Sequence, residues 1–120
     1  DSCGWLEWFT DGRQADQYQE YLADADNILM PAIILYEVYK ILKREVGEEK
    51  ALLAAGYMQG YPVIPLDDTL ALSAADIALQ EKLAMADAVI VATSRAHNCT
   101  IISSDADLKD QVNVHYIPKR

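Results

Sequence analysis

Carboxylates are the residues of this chain whose spacing promises chemistry. In Met85 to Asp107, MADAVIVATSRAHNCTIISSDAD, Asp87 heads an apolar run and Asp105 and Asp107 follow a second, shorter one. Glu37 stands inside an apolar stripe, PAIILYEVYKIL, and Asp1 is followed directly by Ser-Cys-Gly and a group of aromatic residues. Each acid has an ordinary explanation. Asp87 in a first helical turn complements the macrodipole, and Glu37 has Lys40 at i+3, a spacing at which helical acid–base pairs form, with Lys43 a turn further on as the other candidate partner. Gathered at one place, however, Asp1, Glu37, Asp87 and Asp105 would repel one another unless a cation compensates them. Oxygen ligands alone suit a hard divalent ion such as Mg²⁺ or Mn²⁺. Such a site supports metal-assisted hydrolysis of a phosphodiester.

The elements that must bring these acids together are legible in the pattern. Asp87 opens a helix expected over Ala86 to His97, apolar nearly all round and therefore buried. Thr100 to Ser103 reads as a buried strand, with Asp105 just past its C-terminal end. In open parallel sheets, ligands bind in the crevice beyond the strand ends. Earlier, Trp5, Leu6, Trp8 and Phe9 read as a short packed helix or turn, and Arg13 to Asp24 as a helix ended by Asp24 to Asn27. Ile28 to Met30 reads as a buried strand bounded by Pro31. The Glu37 helix starts near Pro31 and stops at Gly47. Another helix runs from about Glu48 to Gln59. YPVIPL, with two prolines, is at best a short strand. Asp67 and Asp68 are expected to cap a helix reaching about Lys82, and Val114 to Ile117 forms a last edge strand. Strands alternating with helices predict a parallel sheet with right-handed crossovers, an α/β chain arranged as a three-layer α/β/α sandwich with a mainly parallel central sheet.

Composition narrows the function. The 120 residues suit one domain with a single core. Ten basic against nineteen acidic residues give a net charge of −9, which argues against a broadly cationic nucleic-acid binder. An enzyme acting on nucleic acid stays open, because a bound metal supplies local positive charge. Cys3 and Cys99 fit a reducing cytoplasm and read as buried small hydrophobes, and their spacing with His97 matches no zinc signature. His97 and His115 have no triad partners. No apolar run is long enough for a membrane span, and no signal peptide is recognised.

DSCGWLEWF, the Glu of PAIILYEVYK, MADAVIVATSRAH and TIISSDADL together resemble the PIN domain, in particular the VapC-type toxin ribonucleases of bacterial toxin–antitoxin pairs. The resemblance covers essentially the whole chain as one domain, 1–120. Carried over residue by residue, it places Asp1, Glu37, Asp87 and Asp105 at acidic metal-binding and catalytic positions. Asp107 becomes an auxiliary acid, and Ser103 the hydroxyl that orients the cluster. It implies an endoribonuclease using Mg²⁺ or Mn²⁺, an RNA substrate, a cognate antitoxin and a homodimer. Lys40, Lys43 and Arg44, after Glu37, are candidates for guiding RNA phosphate, or else a solvated helix face. The family's first strand normally precedes the first Asp and is absent before Asp1, so missing N-terminal residues are expected. The competing readings are a phospho-acceptor receiver domain, for which Asp67-Asp68 comes too late, and a catalytically silent PIN-like binding module.

Overall fold

Apolar periodicity and its interruptions divide the chain into six α-helices and four short strands among the residues described by a computed structural model, 1–23 and 28–119. The elements run α1 (Ser2–Phe9), α2 (Ala15–Leu22), β1 (Met30–Pro31), α3 (Ala32–Val46), α4 (Glu48–Met58), β2 (Val63–Ile64), α5 (Asp68–Glu81), α6 (Met85–His97), β3 (Ile101–Ser103) and β4 (Val114–Tyr116). The α/β class and the parallel pairing are as expected. The strands are so short that the ladders form two separate parallel pairs: Met30 opposite Val63, and Ile101 opposite Val114. The expected end of the second helix, Asp24 to Asn27, lies outside the described residues.

Helix α6 is central. Its residues Ala88 to Ser94 are all buried, as a helix apolar on every side requires, and α5 packs along it. Asp67 caps α5, its side chain accepting the Leu70 amide at 2.8 Å. Capping is thus its visible role. Gly47 separates α3 from α4 with φ +101°, which an L side chain rarely adopts. On α3, Ile34, Val38 and Leu42 face the core and Glu37 is half-buried. Trp5 is buried and stacks on Phe9 at 5.9 Å, with Trp8 at an edge-on 6.4 Å, so these rings pack against the body of the protein. Cys3 and Cys99 are only half-buried, a correction to the expectation of full burial; each sits at an element boundary, where a small side chain meets solvent on one side. No described helix is long and apolar enough to cross a membrane.

Candidate metal centre

The centre is built where β3 ends. Ser103 is fully buried at its last position, and its hydroxyl works in two directions. It donates to Asp1 Oδ2 at 2.5 Å and accepts the Asp105 amide at 2.9 Å. The Asp1 nitrogen donates to the Ile102 carbonyl at 2.9 Å, laying the head of α1 against β3. Asp105 then caps a single-turn 3-10 helix, Ala106–Leu108, accepting the Asp107 amide at 2.9 Å. Beneath this turn, Ser104 is buried and shares a 2.5 Å hydrogen bond with the Tyr18 hydroxyl. The loop is therefore held from below by hydrogen bonds that leave its carboxylates facing Asp87, in the first turn of α6.

Asp87, Asp105 and Asp107 each offer one oxygen, and these oxygens lie within 4.8 Å of one another. Crowding shows at Asp87. Burial first, then the charge and hydrogen bond of Asp105, then the charges of Asp107 and Glu37, push Asp87 up to about 6. Asp1 Oδ1 is buried and has no hydrogen-bond partner among the described residues. Three convergent carboxylate oxygens, one unpartnered oxygen on a fourth acid and no histidine in the group fit a hard divalent cation and not a zinc-type N/S site. The nearby Cys3 thiol is pushed up by burial, with Asp105 and Asp87 adding to the rise.

The structure thus brings Asp87, Asp105 and Asp107 together and ties Asp1 to them through Ser103. Glu37 stands outside the 4.8 Å group, though its charge reaches Asp87. The α3 cations point to other partners. Lys43 pairs with Glu48 at 3.4 Å and lies 5.6 Å from the Tyr39 ring centre. Arg44 pairs with Glu45 at 2.9 Å, and Lys40 lies 5.0 Å over the Tyr36 ring. His97 and His115 are exposed, the latter hydrogen-bonded to Tyr21 at 3.1 Å. Sequence reasoning passed over Tyr18, Ser104 and Gln14. Gln14 is 3% exposed and its amide holds the Ile117 and Pro118 carbonyls at 3.4 and 2.5 Å. A glutamine in a polar stretch carries no sequence signal of that burial.

Comparison with known proteins completes the description. The family described as the PIN domain matches residues 1–112. Among solved structures, a chain of a toxin–antitoxin complex from Klebsiella pneumoniae superposes with TM-score 0.79 at 22% identity, covering 98% of this chain and 97% of that one. Mycobacterium tuberculosis VapC20, described as a sarcin–ricin loop cleaving toxin, gives TM-score 0.81 at 17% identity with the same coverage, 98% and 97%. At these identities the likeness is one of fold. No curated protein matches the sequence.

Proposed function

Because the chain belongs to the PIN domain family, we propose that it is a metal-dependent endoribonuclease, the toxin of a toxin–antitoxin pair, hydrolysing RNA phosphodiesters with Mg²⁺ or Mn²⁺. The observation that carries this reading is the meeting of the Asp87, Asp105 and Asp107 carboxylates at the end of β3. Asp87, Asp105 and Asp107 would hold the cation, with Asp1 and Glu37 adding charge beside it. When bound, the cation would stabilise the charge developing on the scissile phosphate and make water a better nucleophile. The chain's own part is positional. Ser103 fixes Asp1 and Asp105 together, and Tyr18 with Ser104 anchors the loop that carries Asp107. Deprotonated Asp87 is the form that binds metal, so cation affinity is expected to fall as pH drops through about 6.

The reading extends to partners. One structural neighbour is the toxin–antitoxin complex, and a net charge of −9 with an acidic site favours an antitoxin that presents basic side chains. Self-association into a homodimer has an apolar surface to draw on: Leu72 and Leu79, seven residues apart on α5, are 72% and 83% exposed. Two free cysteines support a reducing, cytoplasmic setting. The reading takes residues 1–120 as a single domain.

The test is cleavage of a panel of RNAs by purified, antitoxin-free protein, with Mg²⁺, with Mn²⁺ and with chelator, beside Asp87→Asn. Metal-dependent cutting that disappears in the variant is expected. Cutting that persists in the variant, or the absence of cutting on every RNA, would overturn the reading.

A further inference from the structure

The carboxylate centre is poor in positive charge, yet an RNA strand brings a phosphate at every nucleotide. Two of the three α3 cations are engaged by acids: Lys43 by Glu48 and Arg44 by Glu45. The chain's last described residue offers a different source. Beyond β4, the Ile117 amide donates to the Ser103 carbonyl at 2.7 Å, extending the ladder along the residue whose hydroxyl joins Asp1 to Asp105. Gln14, itself buried, donates through its side-chain amide to the next carbonyl, that of Pro118, at 2.5 Å, and its backbone N–H donates to Glu7 Oε2 at 3.1 Å. Ile117 is buried and Pro118 restricts its own φ, so the backbone leading into Lys119 is fixed on both sides. Lys119 is exposed and forms no ion pair among the described residues. It lies two residues from the Ser103 contact, within reach of a flexible four-carbon stem.

We propose that Lys119 is a positioning residue for the substrate: its ammonium anchors a phosphate flanking the scissile one, on the β4 side of the acidic centre. This rests on the ribonuclease reading above. The charge logic is that of an entry post. A cation placed beside, not inside, the carboxylate group draws in the strand without occupying the metal's place. Gln14 then acts on RNA binding through the tail it pins.

The experiment compares wild type, Lys119→Gln and Lys119→Arg on a cleavable single-stranded RNA. Binding of the same RNA is measured over a salt series in the non-cutting Asp87→Asn background, with and without Lys119→Gln. The expected result is a rise in KM of about three- to tenfold for Lys119→Gln with kcat within twofold, and recovery in Lys119→Arg. The slope of log affinity against log salt should shrink by about 0.7, the share of one phosphate contact on a single strand. Unchanged KM and salt slope would overturn the proposal, as would a loss confined to kcat. Failure of wild type to cut any RNA would count against the nuclease reading; the salt slope still decides on the phosphate contact. Absence of any RNA binding overturns both.

Discussion

Replacing Asp87 by asparagine should make the metal-free protein more stable while removing its activity. The folded carboxyl titrates at about 6 against an ordinary 3.8. A raised folded pKa means the proton is held more tightly folded than unfolded, so folding is helped by acid. The stabilising contribution is complete below about pH 4, is lost as pH rises to about 6, and stays lost above. Two units at about 1.4 kcal/mol each set a ceiling near 3 kcal/mol for the strain of ionised Asp87 at neutral pH. The carboxyl is partly open to solvent and its neighbours are screened, so about 1 kcal/mol is the realistic share. Asparagine keeps the shape and cannot ionise. At pH 8 with chelator, thermal unfolding should give a Tm higher by roughly 4 °C in the variant, and the gap should close toward pH 4. Added Mg²⁺ should raise the wild-type Tm and the variant's less, since a ligand stabilises only the state that binds it. A variant no more stable than wild type at pH 8 without metal would refute the crowding argument, whatever its activity.

Two further outcomes follow from contacts near the centre. Ser103→Ala removes the hydroxyl that serves both Asp1 and Asp105; a loss of about 1–3 kcal/mol and a metal affinity about 10- to 100-fold weaker are expected, checked by urea unfolding and by titrating activity with Mg²⁺. Unaltered metal dependence would mean that Ser103 does not orient the cluster. Gly4→Ala would set a methyl 2.5 Å from the Tyr18 ring, which is itself only 5% exposed. A cost of about 1–3 kcal/mol should lower the urea midpoint, and an unmoved midpoint would contradict the packing of α1 on α2.

Helices were the legible part of this chain because their signals are local. Asp67 before an apolar-periodic run reads as a cap and is one; Gly47 reads as a break and adopts a φ that suits glycine. The run Ala88 to Ser94 announces its own burial. Strands were less legible. Two- and three-residue ladders are decided by which neighbour comes within hydrogen-bond distance, and nothing in YPVIPL or IIS states that the pairs separate into two sheets. Among the acids, Asp87 and Asp105 stand out at element ends. Asp107 joins them because Asp105 caps its amide and turns the chain through a 3-10 helix, a geometry that acidic spacing does not encode. Tyr18, Ser104 and Gln14 gave no sign, since their roles are contacts across 86 to 104 residues of sequence.

That same distance has a consequence for biosynthesis. The hydrogen bond from Ser103 to Asp1 spans 102 positions, so Asp1 and β3 must coexist before the acidic group can form. On a ribosome the amino-terminal helices emerge seconds before β3 and its loop. A nascent chain that stops short of β3 would carry Asp1 and Glu37 without Asp105 and Asp107. On the proposed ribonuclease reading, cutting would therefore wait on synthesis through Asp107.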